Sequence, residues 1–520
     1  MNLLRSIATI GGFTMGSRVT GFARDILIAN YLGAGLVADC FFVAFKFPNL
    51  FRRLFAEGAF NAAFVPLFAG KLESEGEGEA AAKRFAENAL AVLSVGLAAF
   101  VAVMLIIMPW AMYVFAPGFD AVAGKMELAA ELSRLTFPYL LFISLVSLQS
   151  GVLNSIGRFA AAAGTPILLN LTLIAALIGL TPLTPTAGHA LAIGTTIAGI
   201  LQFLWLVLSL RAQGWMLSWR WPRLDPDVVL LMKRIVPGAV GAGVYQVNLL
   251  IDTMIASVVA EGAVSYLYYA DRVNQLPLGV VGIAVGTALL PILSRQIRAG
   301  NDEAAQYSQN RALEFSLLLT VPAMAAIAVL SVPLIMVLFQ RGAFGWAETQ
   351  ATAGALAAFS LGLPAYVLAK CLTPAFFARH DTATPVKLAT IAMISNIVLN
   401  LALWPLGLAQ IGIALATAAS AWINVGLLAW TLRRRGIFRL DARLRSKAPR
   451  IVVATAVMAL AVGAGGWWAQ PQMADASQTM RAALLAALVG GGIGLFALLA
   501  QLTGAMRLSE IKAMLKRQQP

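Results

Sequence analysis

Long apolar stretches fill most of this chain, and the breaks between them consist of proline, glycine and charged residues. A helix that crosses a bilayer needs about 20 mostly apolar residues. The pattern therefore predicts an all-α polytopic membrane protein with fourteen transmembrane helices. Their expected ranges are 4–33, 36–70, 86–116, 128–154, 160–181, 187–211, 228–259, 265–297, 306–340, 347–378, 384–405, 409–433, 449–469 and 478–503.

The distribution of basic residues tests this topology, because Lys and Arg collect in cytoplasmic loops. Of the 38 Lys and Arg residues, 25 fall on the side of the N-terminus and eleven lie within helices or at their ends. The opposite loops contain only Lys125 and Arg341. We therefore expect both termini to be cytoplasmic, and we expect the N-terminal segment to remain uncleaved because no small-residue cleavage site follows it.

Composition excludes several classes of protein. The chain is 60% hydrophobic and 12% charged, whereas soluble domains contain about 25% charged residues. The net charge of +14 is explained by the topology, so no nucleic-acid partner is expected. Two cysteines within apolar stretches and two histidines predict neither a disulfide framework nor a zinc site. The sequence lacks an ATP-binding loop of the Gly-x-x-x-x-Gly-Lys type.

An internal repeat divides the chain. Residues 25–35 resemble 252–262, and Pro66 and Pro138 have counterparts in Pro291 and Pro364. Six helices per repeat keep both halves in one orientation, as in transporters with parallel repeats. The predicted organisation is an N-lobe at 1–225 (helices 1–6), a C-lobe at 226–447 (helices 7–12), two additional helices at 448–503 and a basic amphipathic cytoplasmic tail at 504–520.

Charged residues inside predicted helices are the main functional candidates, because each costs at least about 2.5–3.5 kcal/mol at the bilayer centre. Local ion pairs are the simpler explanation for any single member. The whole set, however, has a surplus of two cations, and arginine suits phosphate because it binds it in a bidentate manner. The cations are Arg18, Arg24, Lys46, Arg52, Arg53, Arg272 and Lys370, and the anions are Asp25, Asp39, Glu57, Asp252 and Asp271.

A second candidate site involves Asp252 in helix 7 with Asn396 and Asn400 in helix 11. Carboxylate and amide oxygens are ligands for a hard cation such as Na⁺, and a lone carboxylate can also carry a proton. Hydrogen bonding between helices is the alternative explanation for the two amides.

Several motifs of this sequence resemble a known family, the lipid II flippases of bacterial peptidoglycan synthesis (MurJ, or MviN), in the multidrug/oligosaccharidyl-lipid/polysaccharide (MOP) exporter superfamily. The resemblance covers essentially the whole chain. The motifs are GSR at 16–18, GFARD at 21–25, FKFPNLFRR at 45–53, AEGAF at 56–60, YYADR at 268–272, LPLG at 276–279 and TPVK at 384–387.

The resemblance implies two six-helix lobes around a central cavity, with helices 13 and 14 forming a groove for the lipid tail. It implies that Arg18, Arg24, Arg52 and Arg272 are required cations. From the charge pattern we also assign Lys46 and Arg53 to the substrate site. It places Asp39 and Glu57 among the polar residues of the cavity and its gates, where we also expect Asp25, Asp271 and Lys370. It suggests a Na⁺ site at Asp252 and Asn396, although Asn400 is neutral where a second carboxylate would strengthen the site.

The resulting expectation is a transporter and not an enzyme. It moves undecaprenyl-pyrophosphate-linked lipid II across the bacterial inner membrane, driven by Na⁺, H⁺ or the membrane potential and without a bound cofactor. We expect a monomer surrounded by membrane lipids, with cell-wall synthesis proteins as possible associates. Two alternatives stay open: an exporter of another polyprenyl-linked glycan, and a membrane enzyme acting on lipid phosphates, for which the sequence shows no paired acids or metal ligands.

Overall fold

The computed structural model describes residues 3–55, 59–74, 76 and 78–506, leaving aside the side chains of 3–8, 53–55, 59, 236–245, 280, 281, 283, 284 and 287. Every regular element in these ranges is helical. By internal contacts the chain forms two compact units. Unit 1 comprises Met1–Ser265 and Arg341–Phe344, and unit 2 comprises Tyr266–Gln340 and Gly345–Pro520.

Nine α-helices begin in the first part of the described chain. They are α1 Leu3–Leu32, α2 Leu36–Phe55, α3 Ala59–Leu72, α4 Gly78–Phe115, α5 Lys125–Thr136, α6 Tyr139–Ser155, α7 Phe159–Gly179, α8 Ala187–Ala212 and α9 Pro226–Val259. The helix α9 packs against α2, α3 and α4. The core of unit 1 includes a row of stacked rings at Phe60, Phe64, Phe68 and Phe85.

Nine further helices follow. They are α10 Ala263–Arg298, α11 Asp302–Val329, α12 Ser331–Phe339, α13 Trp346–Ser360, α14 Leu363–Phe377, α15 Ala383–Leu403, α16 Ala409–Arg434, α17 Ala442–Ala474 and α18 Gln478–Thr503. Within unit 2, α17 packs along α11 and α18 packs along α17.

The described helices follow the predicted fourteen in order, but four predicted helices each correspond to two observed ones. The helix predicted at 36–70 corresponds to α2 and α3, with 56–58 between them outside the described residues. The helix predicted at 128–154 divides into α5 and α6 at Phe137 and Pro138, because proline has no N–H for the i−4 carbonyl. The helix predicted at 347–378 divides into α13 and α14 just before Pro364, its counterpart in the repeat. The helix predicted at 306–340 divides at Leu330.

Ten stretches of the described chain are long and apolar enough to cross a membrane. They include α4, α7, α8, α11 and α15–α18, together with the pairs α5–α6 and α13–α14. The predicted spans outside this set, at α1, α2–α3, α9 and α10, contain most of the charged residues assigned to the substrate site. The number of fourteen crossings stays a prediction.

The helices α9 and α17, each of which follows one of the two predicted six-helix repeats, begin in a similar way, which agrees with the repeat. Asp225 caps α9 by accepting a hydrogen bond from the N–H of Val228, and the Asn88 side chain on α4 donates to Asp225 (2.6 Å). In unit 2, Asp441 caps α17 through the N–H of Leu444, and the Asn310 side chain on α11 accepts from the N–H of Asp441 (3.2 Å).

This correspondence bears on the predicted lobe boundaries. By its contacts α9 belongs to unit 1, so the packing divides the chain near residue 265 and not at 225. The boundaries at 225 and 447, which follow the sequence repeat, stay predictions.

The helix α17 begins at Ala442, seven residues before the expected 449. A buried network explains this longer start, because Glu314 on α11 binds Lys447 (2.9 Å) and Arg443 (3.1 Å).

Candidate functional site

A buried carboxylate at the start of α2 organises one end of unit 1. Asp39 is fully buried and accepts hydrogen bonds from the N–H groups of Gly262 (2.8 Å) and Ser265 (3.0 Å) and from the Ser265 hydroxyl (2.6 Å). These N–H groups lie at the first turn of α10, where helical N–H groups have no partner within the helix. Asp39 therefore caps α10 from another helix, and its charge faces the positive end of the α10 dipole.

The same carboxylate is neutralised by a lysine. Lys125, the first residue of α5, places its ammonium group 2.8 Å from Asp39 Oδ2, and its side chain is 2% exposed. The ring of Phe119 lies 4.4 Å from the Lys125 nitrogen. We call Asp39, Lys125, Gly262 and Ser265 the Asp39 clamp. It joins α2, α5 and the beginning of α10 by charge and hydrogen bonds.

Close backbone contacts accompany the clamp. The N–H of Ala343 donates to the carbonyl of Asn30 at the end of α1 (2.9 Å). Gly342 has a φ of +53°, and a Cβ added there would lie 2.3 Å from the Asn30 carbonyl oxygen. The backbone of 341–344 can therefore approach α1 only because residue 342 has no side chain.

We expect Gly342→Ala to destabilise this contact by about 1–3 kcal/mol through overlap, in addition to the strain of a positive φ. Gly124→Ala is the matched control, because Gly124 has a φ of +75° and nothing within 4 Å of an added Cβ. The measurement is the thermal unfolding midpoint of the purified chain. Equal midpoints for the two variants would contradict the close contact.

A second buried cluster joins α1 to α7. Arg24 is 5% exposed and donates to Asp25 Oδ1 from Nε (3.0 Å) and Nη2 (2.6 Å). Its Nη1 donates to Asn170 Oδ1 (2.9 Å), and the Asn170 amide donates in turn to the carbonyl of Ser17 (3.0 Å). In this conformation, all three guanidinium nitrogens of Arg24 contact protein groups. The pairing of Arg24 with Asp25 is the local ion pair that the sequence offers as the simpler explanation for a single buried charge.

Three other predicted cations of unit 1 are more accessible. Arg18 is partly exposed and makes no hydrogen bond or ion pair within the described part of the chain. Lys46 is exposed and donates to the Thr253 hydroxyl on α9 (3.4 Å). Arg52 is partly exposed and donates to Asn49 Oδ1 (3.0 Å). The Arg53 side chain and the whole of Glu57 lie outside the described residues.

The predicted charges of unit 2 have local contacts. Arg272 donates to the Tyr268 hydroxyl (3.1 Å), and its guanidinium carbon lies 4.8 Å from the centre of the Tyr268 ring. Asp271 accepts from the Gln275 amide one turn later. The exposed Lys370 lies against the backbone of Gly282, where an added Cβ would be 3.1 Å from its nitrogen.

The predicted ion ligands occur in two places. In unit 2, Asn396 and Asn400 are buried, Asn400 donates to Asn396 (3.0 Å), and Asn396 donates to the Thr417 hydroxyl on α16 (3.4 Å). In unit 1, Asp252 accepts from Asn248 one turn earlier (3.3 Å). Asn396 thus makes a hydrogen bond between helices, as in the alternative explanation, whereas Asn400, one turn later, bonds to it within α15. No group of three His, Cys, Asp or Glu side chains forms a metal site among the described residues.

Sequence reasoning missed two residues that hold these clusters together. Lys125 served only as a topological marker, although it is one of only two basic residues in the predicted loops on that side. Asn170 is the one amide in the apolar α7, and a polar group at such a depth requires a partner. Gly262 gave no sequence signal, because Asp39 binds its backbone N–H group, and Ser265 forms no motif with Asp39, which lies 226 residues away.

The sequence of this chain is similar to those of known proteins over most of its length. The family model described as "Lipid II flippase MurJ" matches residues 28–474. A probable lipid II flippase MurJ of Rhizobium tropici is 44% identical over 529 residues, which covers 100% of this chain and 98% of the relative.

Solved structures show the same fold. A lipid II flippase MurJ in an inward closed conformation is similar with a TM-score of 0.77 and 27% identity, covering 95% of this chain and 98% of its own. An inward-facing multidrug resistance MATE transporter of the MOP superfamily is similar with a TM-score of 0.68 at 13% identity, covering 81% and 95% of the two chains, and shows the fold alone. By sequence across its whole length and by fold, this chain belongs to the lipid II flippase MurJ family.

Proposed function

We propose that this chain is a lipid II flippase. It moves the undecaprenyl-pyrophosphate-linked precursor of peptidoglycan from the cytoplasmic to the periplasmic leaflet by alternating access. No covalent bond changes, so the protein is a transporter. The observation that carries the proposal is Arg18, a partly exposed guanidinium group within an apolar helix and without a partner in the described chain.

Arg18 has the chemistry that a pyrophosphate requires. A guanidinium group at this depth is costly unless it faces water or an anion, and it offers two parallel N–H groups to a phosphate. Arg52 and Lys46 on α2 are accessible enough to extend the cationic site, as is Arg272 on α10. Arg53 belongs to the same proposed site by sequence alone.

Arg24 has a different part in this proposal. In this conformation its buried pairing with Asp25 and Asn170 fixes α1 against α7. Arg24 reaches the substrate only in a state where this pairing is broken, and Asp25 then needs another partner. Asp271, Lys370 and Glu57 remain proposed polar residues of the substrate path.

The Asp39 clamp is the proposed gate contact. It forms in one state of the transport cycle and breaks in the other, because four polar interactions on one carboxylate make a stable but reversible closure. The residues of the clamp lie in segments that the charge distribution assigns to the periplasmic side, with both termini in the cytoplasm. The clamp is therefore closed while the headgroup site is open to the cytoplasm.

The source of energy is part of the proposal. A Na⁺ gradient, a proton gradient or the membrane potential drives the cycle, with Asp252, Asn396 and Asn400 as the candidate ion site. Carboxylate and amide oxygens suit Na⁺, and Asp252 alone can carry a proton. We further propose that the protein works as a monomer in the inner membrane, in association with cell-wall synthesis proteins.

The testing experiment follows fluorescent lipid II in proteoliposomes, with a membrane-impermeant reductant that bleaches only headgroups exposed outside. The wild-type chain should raise the bleached fraction above the half seen in empty vesicles. Arg298→Ala is the matched control for Arg18→Ala, because it removes an exposed cation that donates to the carbonyl of Ser294 one turn earlier (3.2 Å). Imposed Na⁺, proton and potential gradients then identify the driving force.

A different polyprenyl-linked glycan is the alternative substrate, because a cationic site recognises the pyrophosphate and not the sugars. If the wild-type chain left the bleached fraction of lipid II at one half under every gradient but moved another polyprenyl-pyrophosphate glycan, the lipid II assignment would be wrong. The cationic site would stand in that case.

A further inference from the structure

The segment between α8 and α9, residues 213–225, is extended and held in place along its length. We call it the 213–225 strap. At its beginning Trp215 is 9% exposed and packs against the Phe68 ring, with 5.6 Å between centroids. In its middle Glu87 on α4 accepts hydrogen bonds from the N–H of Ser218 (3.0 Å) and from Arg220.

The end of the strap is also fixed. Asn88 accepts from the N–H of Arg223 (2.9 Å) and donates to its carbonyl (2.7 Å), before Asp225 caps α9. The strap is therefore a surface-bound element with one face turned to the protein.

The outward side chains of the strap are large and apolar. Trp221 is 86% exposed, Leu224 is 72% exposed, Trp219 is 63% exposed and Met216 is 50% exposed. If these four side chains faced water, the protein would forgo the free energy of burying them, which is roughly 25 cal/mol per Å² of apolar surface. An exposed apolar patch of this kind marks an interaction surface.

The second half of the chain shows that the anchoring does not require these side chains. There Asn310 donates to the carbonyl of Arg439 (2.9 Å), as Asn88 donates to that of Arg223, and Asn310 accepts from the N–H of Asp441 (3.2 Å). The corresponding segment, 436–441, contains no tryptophan. Trp219 and Trp221 are thus additions to a shared scaffold.

We propose that the 213–225 strap docks into the interface of the lipid bilayer, with Trp219 and Trp221 at the boundary between headgroups and acyl chains. Its position favours lipid over a protein partner: the strap begins directly after α8, a stretch apolar enough to span a membrane, and ends at α9. Tryptophan is enriched at this depth. Arg220 and Arg223 alternate with the tryptophans along the chain and suit the phosphate groups of phospholipids.

This inference goes beyond transport and does not depend on which glycan the protein carries. Anchoring at the strap fixes the depth of three helices in the bilayer. Glu87 and Asn88 attach the strap to α4, and α8 and α9 adjoin it in the chain.

The test is the depth of a spin label on the full-length chain in nanodiscs containing about one-third phosphatidylglycerol. A label at Trp221→Cys should collide more with membrane-dissolved oxygen than with a water-soluble nickel chelate. The control is Ser74→Cys, at an exposed residue just after α3, which should show the reverse preference. Labelling is selective because Cys40 and Cys371 are fully buried.

A second measurement leaves the strap without a label. Of the eleven tryptophans, those at 219 and 221 should be quenched by lipids brominated on their acyl chains, so Trp219→Phe/Trp221→Phe should remove part of the quenched emission. The proposal is overturned if label 221 is as accessible to nickel as label 74, or if the double variant leaves the quenched emission unchanged. A strap facing water would then be a surface for a cytoplasmic protein.

Discussion

Arg18→Ala is expected to lower lipid II transport at least tenfold while leaving the thermal unfolding midpoint within about 2 °C of wild type. The reason is that Arg18 makes no hydrogen bond or ion pair within the described residues, so its loss removes a phosphate contact and little protein structure. Arg18→Lys keeps the positive charge but loses bidentate binding of phosphate. Its transport rate should therefore lie between those of wild type and Arg18→Ala. Transport and midpoint are measured on the same preparations.

Arg24→Ala is the variant with which the transport and unfolding midpoint of Arg18→Ala are compared. Its removal leaves the buried Asp25 carboxylate without its guanidinium partner, and an uncompensated buried charge costs about 3–5 kcal/mol. We therefore expect Arg24→Ala to lower both transport and the midpoint. If Arg18→Ala lowered the midpoint as much as Arg24→Ala does, Arg18 would be a structural residue and the headgroup site would lie elsewhere.

Asp39→Ala is expected to have the second large effect. It leaves the buried Lys125 ammonium and two N–H groups of the α10 start without their acceptor. Loss of one member of a buried pair costs about 3–5 kcal/mol, which should open the clamp and lower transport by about a hundredfold. The opening is measured by alkylation of a cysteine placed at Ser265.

A double-variant cycle separates charge from geometry at the clamp. Lys125→Met alone leaves Asp39 buried with its backbone donors, whereas Lys125→Met combined with Asp39→Asn has no buried charge. We expect the double variant to be more stable than either single variant, because neither charge remains uncompensated. Additive losses in the cycle would show that Lys125 and Asp39 act independently and would contradict the ion pair as the basis of the clamp.

The sequence predicts helical segments better than it predicts the roles of single residues. The order of the predicted helices agrees with the structure because each depends on a local run of apolar residues. Pro138 was recognised only as a repeat marker, although its missing N–H divides α5 from α6. The intramembrane charge pattern and the family resemblance assign Arg24 to the substrate site, whereas in this conformation Asn170, 146 residues away, contacts it.

The sequence by itself determined that this is a helical membrane protein with an internal repeat and a surplus of intramembrane cations, because hydropathy and charge are properties of short segments. Only the tertiary structure decided which charges pair. Asp39 meets Lys125 across 86 residues and the N–H of Gly262 across 223. Such partners carry no local pattern, since a backbone N–H group has no residue type and a charge is neutralised by whatever the fold brings within hydrogen-bonding distance.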